Sequence, residues 1–220
     1  MTLTIILISN IISTANAATI APELPWKKWK QFKSLTISAR SSTINQLTEI
    51  KATAIVNSSL SGFLAFIQDV NNTPTWLASV KNSEIIKKTS ATEQIFTINF
   101  STIWPLKPRY LQLNSHYWQN SDLSVELKDD LSINIENLNA TRVRIFKGHW
   151  LIIPKLSKSK QKQLLIEYTF IADNGGDIPK WLADQLALKS ILKSMKKMSV
   201  LLPQPKWQKQ SVAGINELPL

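Results

Sequence analysis

The sequence predicts an α+β protein in which a curved antiparallel sheet packs against one long C-terminal helix. Three observations carry this expectation. Stretches in which apolar and polar residues alternate recur along most of the chain, a short segment of helical spacing interrupts them early, and a long amphipathic run follows the last of them. With 220 residues, 44% of them hydrophobic and 5 of them Gly, the chain can bury a substantial core.

The first residues stand apart. Leu3 to Ile12 is an apolar run broken by Thr4, Ser9 and Asn10, and Ala15-Asn16-Ala17 resembles a small-residue cleavage site. Such a run is short of the ~20 residues that span a bilayer. It predicts a signal peptide over 1–17, cut after Ala17, and export to the periplasm or the medium. No Lys or Arg precedes Lys27, so the usual positive start is missing. The alternative is a buried N-terminal strand or short helix.

Residues 18–34 read as an N-terminal segment or helix, residues 35–202 as the folded domain and 203–220 as a tail. Leu35, Ile37 and Ala39 alternate with polar neighbours, as do Ile50, Ala52, Ala54 and Val56. Ser58 to Gln68 switches to helical spacing, with Leu60, Phe63, Leu64 and Ile67 on one side. Asn71 to Pro74 breaks that run, and Trp76-Leu77 is expected to open a further short helix. Strand patterns return at Ile85, around Phe96, Ile98 and Phe100, and at Leu111, Leu113 and Ser115. They continue at Leu123, Val125 and Leu127, at Val143 and Ile145, and along Trp150 to Ile153. No internal repeat or interdomain linker is visible.

Tyr168 to Ala183 joins three local signals. Tyr168, Phe170 and Ala172 alternate with Thr169 and Ile171; Gly175-Gly176 permits a backbone reversal; Asp177 suits an N-cap, and Pro179 suits a first helical turn. On a wheel of about 100° per residue, the helix from about Ile178 to Ser199 puts Trp181, Leu188, Ile191, Leu192, Met195 and Met198 on one arc. Lys189, Lys193, Lys196 and Lys197 share another.

Composition excludes several classes. No cysteine is present, so disulfides and thiolate metal sites are ruled out, and His116 and His149 alone are a poor basis for a histidine centre. The net charge of +11 gathers in three clusters. Lys27, Lys28, Lys30 and Lys33 lie among Trp26 and Trp29; Lys155, Lys158, Lys160 and Lys162 sit about a hairpin; the helix lysines form the third. Lys with Trp suits an anionic membrane surface. Nucleic acid is a possible partner on charge alone, but no helix-turn-helix, zinc or RNP signature supports it.

Several motifs together resemble the START domain family of lipid-binding proteins. Ala172-Asp173-Asn174-Gly175-Gly176 with Ile178-Pro179-Lys180-Trp181-Leu182 is similar to the family's late strand–turn–helix motif, with Asn174 in place of Pro. Trp104-Pro105-Leu106-Lys107-Pro108-Arg109 is similar to its middle motif, though Tyr110 stands where Asp is usual. Asp69 with Trp76, and Gly148-His149-Trp150 with Pro154, follow in the family's order. The resemblance spans nearly all of the chain after residue 17. It implies the helix-grip (START/Bet v 1-like) fold and a lipid or other hydrophobic small molecule held between sheet and helix, with no cofactor and no metal. It implies Arg109, Trp181, Gln185, Leu188, Leu192 and Met195 as lipid-binding candidates, a mobile lid, and transfer between membranes. Without the usual Asp, Arg109 is left to another acid, a ligand headgroup or solvent.

An enzyme acting on a hydrophobic substrate is the alternative. The chain has no nucleophile elbow, no metal-spaced histidine pair and no Gly-rich phosphate loop. Tyr168, Glu167 and Asp173 are the acid–base candidates.

Overall fold

The computed structural model describes residues 24–101, 107–131, 140–175 and 178–219. Among them, ten strands form one sheet. The order along it is β1 (Lys27–Phe32), β2 (Leu35–Ser41), β3 (Thr48–Asn57), β10 (Lys162–Asp173), β9 (Arg144–Leu156), β7 (Val125–Leu131), β6 (Arg109–Gln119), β5 (Glu93–Phe100) and β4 (Val80–Lys88). Neighbours along this path are antiparallel; the two-residue β8 (Thr141–Arg142) adds a parallel pairing to β6. Hairpins join β9 to β10 and β4 to β5, while the β3-to-β10 pairing closes the chain's two ends into one sheet.

The 22-residue α3 (Lys180–Leu201) packs against β2 and β3 and against the short α2 (Thr73–Trp76). The expected α+β architecture with its long closing helix is therefore present. Pro179 occupies the N-cap position rather than the first turn. The proposed cap Asp177 lies outside the described residues, as do the leader at 1–17 and Trp104-Pro105. Trp76 ends a short helix instead of opening one.

Why the late turn forms is visible in its contacts. Gly175 has a φ of +63°, and a Cβ there would come within 2.7 Å of the Arg142 carbonyl oxygen. The Asp173 carboxylate accepts from the Gly175 N–H at 2.8 Å and pairs with Arg144 at 2.9 Å. The reversal is thus pinned to the strand beside it.

Segments on either side of the central strands also contribute to the fold. Residues 18–34 carry strand β1, which pairs with β2 through a register shift at Lys28/Lys30. Four of its six residues are Lys or Gln, so no apolar alternation announces it. The segment after 202 is part of the core. Trp207, in α4 (Pro205–Gln208), is buried and meets Phe66 edge-on at 5.2 Å. Beyond it, Glu217 accepts from the N–H groups of Leu60 and Ser61 at 3.2 and 2.8 Å, and Gln208 accepts from that of Ser59 at 2.9 Å. With Ser59 capping Gly62 at 3.0 Å, these groups satisfy the otherwise open first turn of α1 (Leu60–Gln68).

Two apolar clusters organise the interior. The larger joins α1, the second half of α3 and Trp207 to the inner faces of β2, β3, β9 and β10. The smaller groups Ile98, Leu111, Leu113, Val143 and Ile145. They leave unfilled space between them.

Candidate functional site

The space between the clusters is a two-lobed cavity. An inner lobe of about 90 Å³ runs from Ile67 and Trp76 to Asp129 and Trp150. An outer lobe of about 250 Å³ lies between β6, β10 and α3 and reaches the surface at the exposed Ser101 and Lys107. Leu77, Leu111, Tyr168 and Ile191 line both lobes and form the neck between them.

Strand period builds the wall. On β10, Tyr168, Phe170 and Ala172 point into the cavity, as their spacing predicts. Phe170, Tyr168 and Trp150 form a stack, with ring centroids 5.2 and 4.0 Å apart and interplanar angles of 20° and 19°. From α3 the lining residues are Leu186, Ala187, Ser190, Ile191 and Ser194, following Ile178 at the helix entrance. Ser194 is fully buried; its Oγ accepts from the Ala78 N–H at 2.9 Å and donates to the Ser190 carbonyl at 2.8 Å. That clamp ties the helix to the segment after α2.

The geometry corresponds to known structures. Over 81% of this chain and 99% of the other, it matches a STAR-related lipid transfer protein fragment from Xanthomonas axonopodis, with a TM-score of 0.69 and 24% identity. Human STARD10 matches over 86% of this chain and 78% of its own, with a TM-score of 0.71 and 16% identity. The fold is the START-like helix grip. Human StAR-related lipid transfer protein 5 has it too: TM-score 0.64, 17% identity, 84% of this chain and 86% of that one. No protein-family model and no curated protein sequence matches the chain.

Around the cavity the six sequence-predicted binding residues divide. Arg109 lines the outer lobe. Its Nε donates to the Asn174 carbonyl at 3.1 Å and its Nη1 to the Lys107 carbonyl at 3.3 Å, so it braces the start of β6 against the late turn. Desolvation lowers its pKa from the usual guanidinium value. Trp181 is 69% exposed, and Gln185 is also exposed; neither lines a lobe. Leu188 and Met195 are buried in the larger apolar cluster, and Leu192 packs against it. The apolar arc of the wheel thus faces inward, with Ile191 lining both lobes, while Trp181 at its start is exposed. Its cavity side sets the small residues Ala187, Ser190 and Ser194 between Leu186 and Ile191, which leaves room for the space.

Of the acid–base candidates, Tyr168 lines both lobes. Burial, assisted by the Asp129 charge, raises its pKa well above the usual phenol value. Glu167 faces Lys51 at 3.8 Å, and Asp173 is engaged in the turn. His149 meets Glu126 at 2.7 Å, and His116 is exposed and stacked on Trp118. No group of three or more potential metal ligands occurs among the described residues.

The residue that sequence reasoning missed is Asp129. It lines the inner lobe, is 7% exposed and accepts from the Trp150 Nε1–H at 3.3 Å and from the Ser115 hydroxyl. Burial pushes its pKa up to about 6. The signal was present: Asp129 has the same parity as Val125 and Leu127, both buried on β7.

Proposed function

We propose that this protein binds a lipid or another hydrophobic small molecule in the cavity and carries it between membranes. The observation that carries the reading is a largely apolar, two-lobed space enclosed by sheet and helix where the packed clusters part. Removing apolar ligand surface from water contributes about 25 cal/mol per Å², so such a site retains a ligand without covalent chemistry. The START-like fold agrees, since the solved structures that share it include STAR-related lipid transfer proteins.

An anionic membrane surface is the proposed docking partner. Lys196 sits over the Phe32 ring at 3.8 Å, with Lys33 5.7 Å from the same ring. The first and third lysine clusters are thereby joined across β1 and α3. Trp181, exposed in the first turn of α3, adds an aromatic group suited to a headgroup layer. Export remains part of the proposal; N-terminal sequencing of the fractionated protein tests it, with cleavage after Ala17 expected and a cytosolic chain retaining Met1 opposing it.

Native mass spectrometry with lipid extraction, on protein purified from its own host, tests the carrier reading directly. A co-purified hydrophobic ligand and transfer between labelled liposomes are expected; finding neither defeats the proposal. The second reading is acid–base catalysis, favoured by the presence of Asp129 and Tyr168 in one cavity. Turnover of the extracted ligand, lost on replacing either residue, would promote it.

A further inference from the structure

The inner lobe is not uniformly apolar. Strand pairing sets Ser115 opposite Asp129, and Gln94 opposite Ser115. All three line the lobe and are at most 9% exposed. They form one polar row across β7, β6 and β5. Apolar rows flank it: Trp150, Leu127 and Tyr117 on one side, Leu113 and Phe96 on the other.

The chemistry of the row is unbalanced toward acceptance. A carboxylate offers about four acceptor positions, and among the described residues two donors, Trp150 Nε1–H and the Ser115 hydroxyl, reach Asp129. Among the described residues no Lys, Arg or His forms an ion pair with it. Gln94 donates its amide N–H to the Gln68 carbonyl at 3.4 Å, leaving its own oxygen as an acceptor. Trp76 Nε1–H, in the wall of the same lobe, is buried without a hydrogen-bond partner. Burying an acceptor-rich row in an apolar wall is unfavourable unless something donates to it.

We propose that Asp129, Ser115 and Gln94 form a head-group subsite for the donor end, hydroxyl or ammonium, of an otherwise apolar ligand, and that it turns away carboxylates and phosphates. The inference rests on the reading of the cavity as a ligand site. A hydroxyl both donates to Asp129 and accepts from a donor such as Trp76 Nε1–H; an ammonium supplies the charge that Asp129 lacks. An anionic end would face a carboxylate in a poorly screened interior.

Calorimetric titration at pH 7.5 with decanol, decylamine and decanoate, which share one apolar body, tests this. Decanol and decylamine are expected to bind ~10-fold tighter than decanoate, the scale of one charge-assisted hydrogen bond. Asp129→Asn, checked for folding by circular dichroism, should cut the decylamine preference over decanol ~10-fold and narrow the gap to decanoate. A second measurement needs no Asp129 variant. Lowering the pH from 7.5 to 5 should weaken decylamine relative to decanol in the wild type. The other titratable groups acting on Asp129 are Asp130 on β7, His149 on β9 and Tyr168 on β10. Repeating the series in His149→Gln removes the one histidine among them.

Decanoate binding as tightly as decanol, an unchanged ranking in a folded Asp129→Asn protein, or a pH-independent decylamine preference would each overturn the subsite and leave the carrier reading standing. Failure of all three probes to bind would overturn both.

Discussion

Gly148 lies directly against Asp129: a Cβ on Gly148 would come within 2.8 Å of the Asp129 Cβ and 3.1 Å of its carbonyl oxygen. The missing side chain on β9 is what lets the β7 carboxyl sit beneath Trp150. Backbone cannot yield as a flexible side chain can, so Gly148→Ala should destabilise the protein by about 1–3 kcal/mol, as overpacking does. Urea unfolding measures the loss. The same variant should disturb the inner lobe more than the outer one.

Asp129 also gives stability a pH signature. Its folded pKa of about 6 exceeds the unfolded carboxyl value, so between roughly pH 4 and 6 the native state binds more protons than the unfolded state. This contribution favours folding at low pH and is lost as pH rises through that window. Asp129→Asn removes the slope. The stability of the variant relative to wild type should therefore rise by on the order of 2–3 kcal/mol from pH 4 to pH 6 and then level off. Thermal unfolding of both proteins across that range is the check, and a flat difference contradicts the assignment.

The orientation of α3 can be tested by filling space. Ser190 lines the outer lobe, whereas Gln185 faces solvent. Ser190→Trp is expected to reduce uptake of a hydrophobic probe at least ~10-fold, through steric occupation of the site. Gln185→Trp should leave uptake within about twofold, as an exposed substitution does. Equal effects would mean that the helix presents a different face to the ligand.

Trp207 tests whether the last segment belongs to the folded unit. It is 5% exposed and packs on Phe66. Trp207→Ala should cost about 3–5 kcal/mol, the range for a large aromatic removed from a core. A separable tail would lose nothing measurable in denaturant unfolding.

These residues also show what could be read from the chain and what could not. Alternation at Ile50–Val56 and Tyr168–Ala172 placed real strands, and the Gly175 turn placed the entrance to the long helix. β1 was hidden because an edge strand rich in lysine has no buried face to display. Asp129 escaped because a charged residue reads as the wet side of a strand, although its parity matched Leu127. Trp181 was misplaced for the opposite reason. A helical wheel ranks positions by size and hydrophobicity, whereas the wall of a hollow needs small residues such as Ala187, Ser190 and Ser194. Trp207, Val212 and Ile215 are spaced too irregularly to show a period, so the packed C-terminal segment gave no pattern.

The neck has a kinetic consequence. Leu77, Leu111, Tyr168 and Ile191 come from four different parts of the fold, and the Ser194–Ala78 hydrogen bond holds two of those parts together. A molecule passing from the outer lobe to the inner one must wait until that contact loosens and the four side chains separate. Traffic between the lobes is then gated in both directions, and the frequency of opening is set by the packing of α3 against the segment after α2. The rate of exchange through the neck is, on this geometry, a property of the protein more than of what it carries.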